Sequence, residues 1–343
     1  MSDIRYDPLH NEYVIIAPNR LYRPDCLYQE STAKDNSECP FCEGNEYLTP
    51  PEIYAIRDNR PNKKGWKSRV VPNLYRALEI ESPWQNSDVG IYDKMAGFGA
   101  HEVIIDMPTH ITRLDKWNKE HFYNWLMTLK FRIKDLKNDI RLIYFALFKN
   151  HGFQSGATQT HPHTQLIALP IVPKSRNIMY QRANKFYKEH GVNPFEAVIT
   201  KELKDRDRVI NESKNFVTIA PFASSFPFEM MIISKQNIVS IDEMDSSSIE
   251  ELSIILQKLF ISLYKELGDF HFNIHFYLPP VQKNYATEEY FDNIPHFWRF
   301  AIRIIPRLYK IGGFETATGV YINPIPPEDA TDMIIKSWNI DIE

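Results

Sequence analysis

Leu142-Ile143-Tyr144-Phe145-Ala146-Leu147-Phe148, a loop of small and polar residues from Asn150 to Thr160, then His161-Pro162-His163-Thr164-Gln165-Leu166-Ile167-Ala168-Leu169-Pro170: this stretch decides the fold. The first run is apolar throughout and bounded by polar residues, which predicts a buried strand, and the second predicts another strand closed by Pro170. Side chains alternate sides along a strand, so His161, His163 and Gln165 are expected on one face and Pro162 on the other. Two imidazoles beside an amide can attack a phosphorus and cradle its oxygens through a covalent intermediate. A metal site or a merely structural role is the competing reading of such a histidine pair.

Upstream of these strands, Trp117, Phe122, Trp125, Leu126, Leu129, Ile133 and Leu136 recur at helical spacing, which predicts an amphipathic helix from Leu114 to about Lys137. Before it, 13–17, 69–75 and 101–106 read as strands. The second half repeats the order. Strands are expected at 216–220 and 228–233, a long helix from Ser246 to Glu266, and strands at 272–277 and 300–305. The fold class is therefore α+β, with an internal duplication into two antiparallel-sheet halves that each carry a long helix. The division falls near residue 180, giving a catalytic half at 1–180 and a degenerate repeat at 181–343; unrelated halves are the alternative.

The chain has 343 residues, 43% hydrophobic and 24% charged, with a formal net charge of -4. A core of ordinary size is expected, and no broad basic face for nucleic acid. Neither a signal-peptide pattern nor an apolar run long enough to span a membrane is present, so the expected location is the cytoplasm. Three cysteines do not make a disulfide framework in a chain of this length. Cys39-Pro40-Phe41-Cys42 has the spacing of a zinc knuckle, a redox dithiol and a buried apolar pair being the alternatives. His101, His110 and His161 are the candidate further ligands, and Cys26 reads as a free thiol.

Taken in order, Pro18-Asn19-Arg20-Leu21-Tyr22-Arg23-Pro24, Cys-Pro-Phe-Cys, Asn73-Leu74-Tyr75, Gly99-Ala100-His101-Glu102-Val103, Pro108-Thr109-His110 and the His-Pro-His-x-Gln motif resemble the galactose-1-phosphate uridylyltransferase family. This is the branch of the histidine-triad superfamily in which the fold is duplicated. The resemblance implies that His163 is the nucleophile, supported by Gln165, and that Cys39, Cys42, His110 and His161 hold one structural zinc. It further implies that Arg20, Arg23, Asn73, Asn150, Gly156 and Thr158 contact nucleotide, sugar or phosphate. Lys310, Phe314, Glu315 and Tyr321 lie in a tail segment that, in the family, reaches the active site of a neighbouring subunit, so a homodimer is implied.

The implied activity moves UMP from UDP-glucose to a hexose 1-phosphate, galactose 1-phosphate first, by ping-pong chemistry. The alternatives are a phosphorylase-like relative that passes a nucleotidyl group from an ADP- or UDP-sugar to phosphate or sulfate, and an inactive nucleotide- or zinc-binding module. Two departures from the family pattern bear on this. Leu74 stands where some members have Asp, and Ala301-Ile302-Arg303 replaces a second metal motif of which His275 alone survives, so no second metal is expected.

Overall fold

The computed structural model describes residues 2–7, 12–16, 39–83, 86–89, 92–284, 287 and 289–338. The first half contains β1 (Asp3–Asp7), β2 (Glu12–Ile16), β3 (Tyr54–Arg57), β4 (Trp66–Pro72), β5 (Asn86–Val89), β6 (Tyr92–Ala96) and β7 (Ala100–Ile105). Helix α1 (Lys119–Leu136), β8 (Tyr144–His151) and β9 (His163–Leu169) follow. Helices α2 (Lys174–His190) and α3 (Pro194–Asp205) lead into β10 (Val209–Glu212), β11 (Phe216–Ile219), β12 (Met230–Ser234), α4 (Ser246–Leu267) and β13 (Phe272–Tyr277). The chain then passes through α5 (Ile294–Phe297), β14 (Ala301–Pro306), α6 (Gly313–Thr318) and α7 (Pro327–Trp338).

Ten of these strands form one antiparallel sheet in the order β10-β11-β12-β14-β13-β8-β9-β7-β4-β3. Read from its middle outward, each side has the same plan: β13-β14-β12-β11-β10 on one and β8-β9-β7-β4-β3 on the other. The halves join where His275 of β13 faces Phe148 of β8. The duplication expected from element order is thus written into the sheet. A separate four-stranded sheet, β2-β1-β6-β5, was not expected from the sequence.

Helix α1 begins later than the periodicity predicts, because Asn118 accepts from the His121 amide and the His121 side chain accepts from the Asn118 amide; Leu114–Lys116 forms a separate 3-10 turn. Its buried stripe, Phe122, Trp125, Leu126, Leu129 and Ile133, meets Phe145, Leu147 and Leu166 of the sheet in one core cluster with Leu252, Leu256, Leu259 and Leu263 of α4. Each such side chain contributes roughly 1.5–3 kcal/mol on burial, so this face of the sheet is the rigid one. Part of the opposite face is covered by Tyr180 and Ala183 of α2 and Ile199 of α3. The remainder, from β7 across β9 to β13, carries the site.

Candidate active site

His163 opens β9 as the partner of Ile105, and two residues on Gln165 faces Val103. Both line a cavity of about 230 Å³ together with Phe41, Asn73, Leu74 and Thr158. His161 lies ahead of the strand, where alternation no longer governs direction. Its ring turns instead toward Cys39 and Cys42, correcting the expectation that all three polar groups share one spot.

His163 Nδ1 lies 2.9 Å from the carbonyl oxygen of His161. A carbonyl only accepts, so Nδ1 carries the proton and Nε2 holds the in-plane lone pair of the neutral ring. Phe41 from the knuckle packs against the same imidazole, with ring centroids 5.6 Å apart. Gln165 is oriented in a similar way. The Ala77 amide donates to His101 Nδ1 at 3.0 Å, which leaves the proton on Nε2, 3.2 Å from Gln165 Oε1. The amide nitrogen of Gln165 is then the donor end left for an oxyanion. Asn73 Nδ2 lies 3.1 Å from the same His101 nitrogen, an approach of two donors and not a hydrogen bond once Nε2 carries the proton, and Asn73 Oδ1 accepts from the Tyr75 amide. His101, weighed in the sequence as a metal ligand, is an orienting residue.

The ligand atoms of Cys39, Cys42, His110 and His161 all lie within 4.8 Å of one another. Cys39 Sγ is 3.6 Å from His161 Nδ1, and Cys42 Sγ is 3.5 Å from the Nδ1 atoms of both His110 and His161. With metal–sulfur bonds of about 2.3 Å and metal–nitrogen bonds of about 2.0–2.1 Å, a tetrahedral sulfur–nitrogen edge is about 3.6 Å, so the four groups fit zinc. Their second ring nitrogens are engaged: His161 Nε2 with the Met107 carbonyl at 2.9 Å, His110 Nε2 with Thr160 Oγ1 at 3.0 Å. Burial pushes His161 down to about 3 and holds His110 below its usual value, so both are neutral ligands at neutral pH. Burial first, and Cys39 second, push the Cys42 thiol up to about 12. A cation is what would let that sulfur ionise.

The remaining expected residues divide. Thr158 and Asn73 reach the His163 cavity. Asn150 lines a neighbouring polar cavity with His161 and Lys149, its Oδ1 accepting from Asn273 Nδ2 at 2.8 Å. Gly156, expected to offer its amide to phosphate, spends it on the Phe153 carbonyl at 2.9 Å; its φ of +85° is the reason for glycine. Lys310, Phe314, Glu315 and Tyr321 line neither cavity of their own chain. Glu315 accepts from the Gly312 amide at 3.1 Å and caps α6. Tyr321 packs on Phe226, ring centroids 5.3 Å apart. Arg20, Arg23 and Cys26 lie outside the described residues.

Across the sheet from Gln165 run Phe148, His275 and Arg303, in register on the same face. Arg303 is held by Glu229, its Nε and one terminal nitrogen donating at 2.7 and 2.9 Å. Arg299 is buried, donating to Asn237 Oδ1 at 2.8 Å and pairing with Glu196. Both guanidinium groups are therefore engaged by carboxylates of their own chain.

The sequence reading missed His101 as an orienter, Phe41 as a packing partner of His163, and a buried network beneath the motif built on Asp106 and Lys149. The available signal for the last was one cation directly after the apolar run of β8 and one carboxylate directly after that of β7.

The sequence profile of the galactose-1-phosphate uridyl transferase N-terminal domain matches residues 1–173, and that of the C-terminal domain matches residues 179–295. The chain is 33% identical over 337 residues to an ADP-glucose phosphorylase of Arabidopsis thaliana, covering 97% of this chain and 92% of the relative. It is 26% identical over 339 residues to a galactose-1-phosphate uridylyltransferase of Thermotoga maritima, covering 96% of each. The crystal structure of an Arabidopsis thaliana ADP-glucose phosphorylase with bound ADP-glucose superposes with a TM-score of 0.74 at 30% identity over all of both chains.

Proposed function

Because this chain belongs to the galactose-1-phosphate uridyl transferase family, we propose that it carries a nucleotidyl group on His163, taking AMP from ADP-glucose and passing it to inorganic phosphate. The observation that carries the chemistry is the hydrogen bond from His163 Nδ1 to the His161 carbonyl, which makes Nε2 the nucleophile. Its lone pair attacks the α-phosphorus, the bond from that phosphorus to the bridging oxygen breaks, and glucose 1-phosphate leaves with the electron pair. The Nδ1 proton stays on the ring, its developing positive charge held by the His161 carbonyl. An oxygen of inorganic phosphate then attacks the same phosphorus, the phosphorus–nitrogen bond breaks, and ADP departs.

Gln165 donates to a phosphoryl oxygen as charge builds there, the role of a fixed dipole in a site that need not reorganise. Cys39, Cys42, His110 and His161 are the residues that would hold zinc, and with four protein donors its contribution would be to fix the loop that carries His163. The donor is chosen on similarity to ADP-glucose phosphorylase along nearly the whole chain. The second reading, transfer of UMP from UDP-glucose to galactose 1-phosphate, is favoured by the similarity to the Thermotoga enzyme over 96% of the chain. We also read the chain as a catalytic repeat at 1–180 and a degenerate one at 181–343, working as a homodimer in the cytoplasm. Among the described residues no helix is long and apolar enough to cross a membrane.

The test is intact-protein mass after incubation with ADP-glucose and with UDP-glucose in parallel, using His163→Gly as control. An AMP-sized adduct that inorganic phosphate discharges as ADP supports the reading. A UMP-sized adduct discharged only by galactose 1-phosphate replaces it with the second reading. Adducts that persist in His163→Gly overturn the assignment of the nucleophile.

A further inference from the structure

Beneath the motif lies a buried ion pair that no part of the transfer chemistry uses. Lys149 Nζ is 2.6 Å from Asp106 Oδ2, and both side chains are almost wholly buried, 1% and 0% exposed. Burial raises the Asp106 carboxyl and lowers the Lys149 ammonium, each opposed by the other's charge. Such a pair is a poor way to gain stability, because the desolvation of two ions offsets most of their attraction. Where it sits is more informative than what it contributes to folding.

Three consecutive residues of the motif are tied to this pair. The Asp106 amide donates to the Pro162 carbonyl at 3.2 Å. Lys149 Nζ donates to the His163 carbonyl at 3.2 Å. Thr164 Oγ1 donates to Asp106 Oδ1 at 2.9 Å and accepts from Trp125 Nε1 of α1 at 2.8 Å. The β7–β9 ladder ends at the pair Ile105 and His163, so the network takes over where strand pairing stops. Trp117 covers the ammonium, its ring centroid 5.4 Å from Nζ.

We propose that Asp106 and Lys149 are positioning residues for His163: they fix its backbone from below while the His161 carbonyl, held by the Cys-His cluster, fixes its ring from the side. The inference rests on His163 being the nucleophile. In-line attack requires the imidazole nitrogen within a fraction of an ångström of its place, and a misplacement of about 1 Å costs on the order of 100-fold in rate. Neither Asp106 nor Lys149 has to touch substrate.

The test compares wild type with Lys149→Met, Asp106→Asn and the double variant Lys149→Met/Asp106→Asn, which buries no net charge. For each, the single-turnover rate of nucleotidyl-enzyme formation at saturating nucleotide sugar, the dissociation constant for the nucleotide, and Tm are measured. The expected result is that the double variant regains most of the Tm lost by the single variants and binds nucleotide within about threefold of wild type. Its labelling rate stays about 100-fold low. If labelling recovers along with Tm, the pair is structural only and the proposal is overturned. Should a single variant fail to fold, the double variant alone decides. Wild type that forms no adduct at all would instead refute the nucleophile assignment, so the two failures are distinguishable.

Discussion

A glutamine amide beside a phosphate can present either its oxygen or its nitrogen, and in this site a backbone amide from Ala77 decides which. By donating to His101 Nδ1 it commits His101 Nε2 to Gln165 Oε1 and turns the Gln165 NH2 outward. Gln165→Glu keeps the His101 contact but replaces the outward donor with a carboxylate oxygen. The nucleotidylation rate is then expected to fall roughly 100- to 1,000-fold, the usual cost of one oxyanion donor, with Tm little changed. Stopped-flow or quench measurement of adduct formation checks this, and a rate within threefold of wild type would show that the amide does not meet the phosphate. At this scale the sequence was partly legible. His163 and Gln165 could be read from the motif, but His101 invited a metal role, because an imidazole suits either purpose. What settles its tautomer is an amide 24 positions away in the chain, which no local pattern reveals. Gly156 misled in the opposite direction: a glycine in a phosphate-site loop suggested a donating amide, whereas the turn it closes consumes that amide.

Among the elements, the knuckle Cys39–Asn45 joins the Cys-His cluster to His163. Its turn is closed by the Cys42 amide on the Cys39 carbonyl at 3.2 Å and by Asn45 Nδ2 on the same carbonyl at 2.9 Å, and the Glu43 amide ties it to Pro108 beside His110. Phe41 at its tip packs on both motif histidines. Losing one ligand therefore loosens two loops and the ring packed between them. Cys39→Ser is expected to lower bound zinc to well under one per chain and Tm by roughly 5–10 °C, with a slower adduct rate. Metal analysis and calorimetry on the same preparation test this, and unchanged stoichiometry would show that Cys39 is not a ligand. The Cys-x-x-Cys spacing and the period of α1 and α4 made these elements readable in advance. Helices α2 and α3 were not, because α2 buries little beyond Tyr180, Ala183 and Asn184, and α3 only Ile199 and Glu202. A helix that covers part of a sheet face with so few buried side chains leaves little periodicity to find.

For the whole molecule, the two-sided plan of the sheet gives each residue of the His163 strand a counterpart in the second half. At the register position of Gln165, between Val103 and Phe148, the second half places Arg303 between Met231 and His275, locked to Glu229. The second half keeps the frame and gives its polar row to an ion pair. What it adds is the segment after β14, where Ile311, Phe314, Val320, Tyr321 and Ile322 stand 37–60% exposed. Exposed apolar side chains gathered in one short stretch suit a second subunit. The assembly is accordingly expected to have twice the chain mass of 40.3 kDa. If the segment completes the partner's site, Phe314→Glu and His163→Gly chains, each inactive alone, should complement one another. In a mixed dimer the subunit with intact His163 receives an intact segment from its neighbour, while the other site has neither. Random reassociation of equal amounts makes half of the dimers mixed, each with one working site, so about one quarter of wild-type activity should return. Co-expression with two affinity tags isolates the mixed species for assay. No recovery in the mixed dimer, with both variants folded and dimeric, would place the segment's action within its own chain.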